Sequence, residues 1–146
     1  MAKTQVVEGG CLCGAVRYQA EVNLDDVYYC HCRMCQKSSG APAEIGVRVI
    51  EGTLQFTVGE PTFFRSSHFA ERGFCLICGS RLLWRPSEGK DQGKANLSVG
   101  SLDDPEVAIP SKHICVDSQI SWYAIDDGLP RLKSDEMPFL VSAWSN

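Results

Sequence analysis

Eight cysteines, most of them closely spaced, constrain this chain more than any other feature of its sequence. They form a C-x-C pair, a C-x-C-x-x-C triad and a C-x-x-C pair, with one cysteine left over: Cys11 and Cys13; Cys30, Cys32 and Cys35; Cys75 and Cys78; and Cys115. A disulfide framework needs an oxidising compartment, and residues 1–5 begin no apolar signal segment. Two cysteines separated by one residue also lie near the upper limit of the distance that a disulfide bridges. The spacing therefore favours metal ligands.

The two pairs together supply the four thiolates of a closed tetrahedral zinc site. In an extended strand, Cys11 and Cys13 project from the same face, so both sulfur atoms reach one ion. In each pair the following glycine, Gly14 or Gly79, can take a positive φ as the turn closes. We predict a structural zinc ion, with iron as an alternative for four sulfur ligands, that clamps the start of the chain to its middle.

The triad has no fourth cysteine at a suitable spacing, which also argues against an iron–sulfur cluster. Structural zinc sites use four protein ligands, whereas catalytic sites keep one position open for water or substrate. We therefore predict that Cys30, Cys32 and Cys35 hold a catalytic zinc ion. Cys115 is interpreted as a buried apolar thiol and not as a fourth ligand. His31 is expected to point away from the ion, with a solvated or outer-sphere role.

Composition predicts one globular domain, residues 1–146, with 44% hydrophobic and 22% charged residues. The formal net charge is −4, and it becomes more negative when thiolates bind zinc, so we expect no nucleic-acid partner. No apolar run approaches the roughly 20 residues of a membrane span. Reduced thiols and the lack of a targeting signal predict a cytoplasmic protein. The sequence specifies no oligomeric state.

The secondary-structure pattern predicts a mostly β fold of short antiparallel sheets with little helix. Residues 15–22 alternate like a strand with one buried face, and residues 27–29 lead as a second strand into the triad. Only residues 33–39 suggest a helical turn, which Gly40 and Pro42 would end. Further strand-like runs, separated by turn residues, are residues 47–50, 54–58, 62–64, 81–84, 96–99 and 112–116.

These motifs together resemble the glutathione-dependent formaldehyde-activating enzyme family, which also includes the centromere protein V domain. The segments that carry the resemblance are residues 9–18, 30–42, 74–80 and 100–105, followed by Pro110, residues 112–114 and Trp122. The resemblance implies a β-tent domain with two zinc ions. By motif, the four cysteines of the two pairs match the family's structural site, and the triad matches its catalytic zinc ligands. The family's named activity joins glutathione to formaldehyde and is classed as a carbon-sulfur lyase for the reverse cleavage.

The chemistry of the triad favours a small thiol or thiol adduct as substrate. Three thiolates on a divalent ion leave a net charge of about −1, which weakens the ion as a Lewis acid toward water but suits a soft sulfur ligand. Arg33, Lys37 and Ser38 are candidate substrate contacts by their nearness in sequence. His113 is interpreted as a packing residue, and residues 126–128 as a turn.

Two other functions compete with a lyase. A non-catalytic zinc module would bind a protein or nucleic acid, but such a scaffold does not need an open triad. A metal or redox sensor would release zinc or oxidise reversibly under mild conditions. We rank the enzyme first, the binding module second and the sensor third.

Overall fold

The structure is a computed structural model that describes residues 3–87 and 93–137, and it is mostly β, as predicted. The strands are β1 (Thr4–Gly10), β2 (Arg17–Cys30), β3 (Glu44–Val49), β4 (Gln55–Val58), β5 (Thr62–Arg65), β6 (Ala70–Phe74), β7 (Arg81–Pro86), β8 (Asn96–Ser98), β9 (Lys112–Ile114) and β10 (Arg131–Leu132). One α-helix lies in the described part of the chain, α1 (Arg33–Ser39). Short 3-10 helices are Val99–Ser101, Pro105–Val107, Val116–Ser118 and Ser134–Glu136.

The 14-residue strand β2 organises the sheet because four other strands pair with it. Its first half pairs with β1 and β4, and its second half lies between β3 and β9, so the main strand order is β10-β9-β2-β3-β8-β7-β6-β5. The strands predicted at residues 15–22 and 27–29 are parts of this one strand. Its pairing with β3 changes register between Asn23 and Val27. The sheet is mainly antiparallel, as predicted, but β9 pairs in parallel with both β2 and β10.

The core lies where alternate residues of β2 meet the strands beside it. Val22 and Val27 of β2 are fully buried, as are Val47 of β3, Leu83 of β7 and Leu97 of β8. Burial of each such aliphatic side chain stabilises the fold by roughly 1.5–3 kcal/mol. This packing fixes the end of β2 against β3 and β9, and Cys30 is the last residue of β2.

Three strands escaped the sequence analysis: β10, which has only two residues, and β1 and β6, whose composition is atypical for strands. β1 ends in two glycines, and β6 contains Glu71, Arg72 and Gly73 in a row. Packing favours glycine at position 73, since a Cβ there would lie 2.6 Å from the end of the Leu83 side chain, which would have to shift. No helix in the described ranges is long and apolar enough to cross a membrane.

Candidate metal centres

Four sulfur atoms, from Cys11, Cys13, Cys75 and Cys78, lie within 4.8 Å of one another. The Cys11 and Cys13 sulfurs are 3.6 Å apart, and those of Cys13 and Cys75 are 3.8 Å apart. A tetrahedral ion with sulfur ligands at about 2.3 Å requires sulfur-to-sulfur distances of about 3.8 Å. This group could therefore hold one four-coordinate zinc ion.

Two turns position these thiols. Gly14 and Gly79 have φ values of 81° and 78°, as the sequence predicts. The amide of Val16 donates to the Cys11 sulfur at 3.2 Å, and that of Cys78 donates to the Cys75 sulfur at 3.5 Å. One detail of the prediction is wrong: the C-x-C pair lies in a turn after β1 and not on a strand. The turn nevertheless brings the sulfurs of Cys11 and Cys13 together, because it directs both of them to the same side.

The triad forms a second group, in which the sulfurs of Cys30, Cys32 and Cys35 also lie within 4.8 Å of one another. Cys30 ends β2, Cys32 is the N-cap of α1 and Cys35 lies in the first turn of that helix. The Cys35 amide donates to the Cys32 sulfur at 3.3 Å. α1 spans the predicted residues 33–39, and Gly40 ends it with a φ of 73°. The three sulfurs thus could occupy three of the four positions around a tetrahedral ion, and none of these cysteines fills the fourth position.

A buried ion-pair network of Glu44 with two arginines lies against the triad. Both terminal nitrogens of Arg72 donate to the Cys35 sulfur at 3.6 Å, and one of them donates to Glu44 at 3.2 Å. Arg81 pairs with the same carboxylate at 2.6 Å, and Ser98 donates to it at 3.0 Å. Burial lowers the pKa of Arg72, but the negative charges of Cys35 and Glu44 outweigh burial and raise it. The guanidinium therefore stays charged, and its hydrogen bonds would stabilise a thiolate at Cys35 when an ion binds there.

Sequence reasoning missed this network because its members come from separate strands. Arg72 lies on β6, Arg81 on β7 and Glu44 on β3. No strand was predicted around Arg72, so the sequence carried no signal that this arginine is buried and paired, although charges are almost never fully buried unless paired.

A cavity of about 160 Å³ opens beside the triad. All three triad cysteines line it, and the rest of its wall includes Tyr28, Met34, Phe69, Trp84, Leu97 and Ile114. Of the aromatic side chains on or near the strands, Trp84 lines the cavity. Phe64 and Trp122 do not line it, and they are 66% and 73% exposed to solvent. The arrangement can hold an ion at the wall of a small, mainly apolar chamber.

Two buried histidines and a carboxylate form a chain of hydrogen bonds behind the triad. His31 Nε2 and His113 Nδ1 are 2.8 Å apart, and His113 Nε2 is 2.8 Å from Asp127 Oδ2. Both histidines are fully buried, and burial lowers the pKa of His31 to about 4. The solvated alternative for His31 is therefore wrong, and Asp127, in the predicted turn region, is a partner of His113. The contact joins residues 82 positions apart, which sequence spacing alone does not reveal.

The predicted substrate contacts lie outside the residues that line the cavity. Arg33 and Lys37 are exposed on α1, and Arg33 donates to Gln36 at 2.5 Å. Ser38 accepts a hydrogen bond from Arg81. Their part in substrate binding stays a prediction.

Cys115 is 1% exposed and packs with Cys30, Cys35 and Ile114, as expected for a buried thiol. Its side chain lines the cavity, but its sulfur does not belong to the group of sulfurs that lie within 4.8 Å of one another. It follows β9 directly, with a φ of 56°.

Comparisons with known proteins agree with this geometry. The chain is 28% identical over 134 residues to a protein of Schizosaccharomyces pombe named an uncharacterized lyase, covering 82% of this chain and 92% of that one. A crystal structure of a Rhodobacter sphaeroides protein has the same fold, with a TM-score of 0.57 at 19% identity over 86% of this chain and 99% of that one. The family model for glutathione-dependent formaldehyde-activating enzymes matches residues 6–118, which include both cysteine groups. The chain therefore belongs to the glutathione-dependent formaldehyde-activating enzyme family.

Proposed function

We propose that this protein is a zinc-dependent carbon-sulfur lyase that acts on a thiol adduct. Cys30, Cys32 and Cys35 would hold the catalytic zinc ion, and the four cysteines of the two pairs would hold the structural one. The observation that carries the proposal is the position of three convergent sulfurs at the wall of a cavity. A closed site would need no such chamber, whereas a site with an open position does.

The reaction that the family is named for needs no oxidant or reductant, because its atoms and electrons balance between the adduct and its two products. In an S-hydroxymethyl adduct, the carbon-sulfur bond breaks and its electron pair goes to sulfur. The hydroxyl group loses its proton to water and becomes the carbonyl of formaldehyde. The products are a thiolate and formaldehyde, and the reverse reaction forms the adduct. S-Hydroxymethylglutathione is the first adduct to assay because the family is named for it.

When bound, zinc would supply stabilisation of the substrate sulfur as its anion. The protein's own residues prepare the site for that charge. Arg72 donates to Cys35 from its buried position and offsets the negative charge of the three thiolates. The apolar walls, such as Ile114 and Leu97, limit the water around the reacting carbon.

The partner of this proposal is a small thiol or its adduct, and the thiol ligands call for a reducing compartment such as the cytoplasm. We propose no nucleic-acid partner, because acidic residues outnumber basic ones, 18 to 14.

The direct test is formaldehyde release from S-hydroxymethyl thiols by the zinc-loaded protein and by Cys32→Ala. We expect the variant to keep its fold, to bind one zinc ion in place of two and to lose both thiol binding and cleavage. Cys115→Ala is the matched cysteine control, and it should still bind two zinc ions. Unchanged thiol binding by a folded Cys32→Ala protein would refute the mechanism and favour a zinc module that binds macromolecules.

A further inference from the structure

One face of the neighbouring strands β9, β2 and β3 forms a wall of the triad cavity. Alternate residues on either side of β2 line it: Glu44, Gly46 and Arg48 from β3, and Lys112 and Ile114 from β9. Cys30 of the triad pairs with Glu44 and with Ile114. Side chains on one face of a strand repeat about every 7 Å. Two cations therefore follow the triad along this wall, Lys112 one row away and Arg48 two rows away.

A bulge in β2 places a carboxylate between the two cations. The strand has three extra residues, 24–26, between the partners of Arg48 and Val47 on β3. Bulges re-aim side chains and are frequent beside active sites. Asp26 Oδ2 accepts a hydrogen bond from Arg48 Nε at 2.8 Å, and Asp26 Oδ1 lies 2.9 Å from Lys112 Nζ. The bulge therefore holds a guanidinium and an ammonium close together at the cavity wall.

This cluster has positive charge and hydrogen-bond donors to spare. Two cations share one carboxylate, which leaves a net charge of +1. Arg48 uses Nε for Asp26, and the four N–H donors on its two terminal nitrogens have no partner among the described residues. Lys112 has three donors, and its one ion partner in the same part of the chain is Asp26. The side chains of Arg48 and Lys112 are 37% and 28% exposed, so a ligand in the cavity can reach them.

We propose that Arg48 and Lys112 bind a carboxylate of the substrate thiol and thereby determine which thiols the site prefers. This inference rests on the proposed function and specifies its substrate class further. Guanidinium and ammonium groups form charge-assisted hydrogen bonds with carboxylates, and one bound carboxylate neutralises the surplus charge of the cluster. The row spacing calls for a carboxylate about 7 Å or more from the substrate sulfur. A thiol with an acid group several bonds away fits this distance, whereas mercaptoacetate is too short.

The test is isothermal titration calorimetry of the zinc-loaded protein with 6-mercaptohexanoate and 6-mercaptohexanamide, in a buffer whose reductant is not a thiol. The two ligands have the same length and differ only in charge, so the ratio of their affinities isolates the carboxylate. We expect the wild type to prefer the carboxylate about fivefold. Arg48→Met and Lys112→Met should each lose most of this preference and bind the amide as before.

The possible outcomes separate the inference from the proposed function. Equal affinities of the wild type for the two ligands would overturn the inference and leave the proposed function standing. The same holds if Arg48→Met and Lys112→Met weaken both ligands alike, since that is the result of a purely structural role. Failure of both ligands to bind the wild type would overturn the inference, and failure of glutathione as well would overturn the proposed function too.

Two further variants serve as controls for charge and for structure. Arg17 pairs with Asp103 and is 33% exposed, but it does not line the cavity, so Arg17→Met should keep the wild-type preference. Asp26→Asn removes a negative charge and keeps an acceptor oxygen, so the preference for the carboxylate should rise about threefold. A preference that falls in Asp26→Asn, or that falls in Arg17→Met as much as in Arg48→Met, would contradict the charge argument.

Discussion

Arg72 offers the sharpest test of how the protein supports the triad. The residue is only 4% exposed, and its guanidinium donates to Cys35, Glu44 and Ser66. Breaking a buried ion pair costs about 3–5 kcal/mol when the remaining charge has no other partner. Glu44 would keep Arg81 and Ser98 as partners, so we expect the lower end of that range. Arg72→Met should reduce the free energy of unfolding by about 3 kcal/mol.

The same substitution should weaken zinc binding at the triad. Residues that hydrogen-bond to metal ligands typically contribute tenfold to 100-fold in metal affinity. Competition with a chromophoric chelator measures this directly, because the three-ligand site should release its ion before the four-thiolate site does. We expect the first phase of release to shift by about tenfold or more in Arg72→Met and the second phase to stay in place.

Arg85→Met is the matched control on the neighbouring strand. Arg85 pairs with Glu71 at 2.6 Å and lies over the Phe63 ring, but it does not line the cavity, and its side chain is 40% exposed. A partly exposed pair contributes at most about 1 kcal/mol, and zinc release should be unaffected. The reasoning is refuted if Arg72→Met and Arg85→Met lose equal stability and release zinc alike.

Three further predictions concern the turns and the histidine chain. Cys75→Ser should abolish the cooperative fold, as measured by circular dichroism, because structural zinc contributes about 10 kcal/mol or more; a folded variant would show that the four-thiol site does not stabilise the protein. Gly79→Ala should lower the free energy of unfolding by about 1 kcal/mol in denaturant titrations, since its φ of 78° strains an L-residue although space for a Cβ is free; no loss would contradict the turn argument. The pKa of His31 is lowered to about 4 by burial, so below about pH 6.5 the unfolded chain takes up a proton that the folded protein does not. From pH 7 to pH 5 the wild type should lose about 2 kcal/mol more stability than His31→Asn, because protonation of the zinc ligands affects both proteins equally. The groups that face His31 are His113, Asp127, Tyr123 and Arg131. Identical pH profiles of the two proteins would exclude this role for His31.

Local spacing predicted what depends on local geometry. The triad, the helix at residues 33–39 and the positive φ at Gly14 and Gly79 all follow from residues a few positions apart. The four-cysteine group joins pairs 62 positions apart, and it was predicted because each pair alone supplies only half of a tetrahedral site. The mostly β class followed from alternating runs. The assignments of one domain and of individual catalytic roles stay predictions.

Long-range pairing could not be predicted in the same way. Arg72 reaches Cys35 from 37 positions away, and His113 meets His31 only because β9 pairs in parallel with the end of β2. Such contacts depend on strand register, which the hydrophobic pattern of three-residue strands such as β8 and β9 specifies weakly. The cavity depends on the same register.

Native mass spectrometry of the freshly purified protein, with and without glutathione, tests the central claim most directly. One spectrum reports both the number of zinc ions and the capture of a thiol. We predict two zinc ions and one bound thiol per chain, with loss of that thiol and of one zinc ion in Cys32→Ala. Two zinc ions with a captured thiol that persists in Cys32→Ala would contradict the account, as would a single zinc ion that no added zinc supplements.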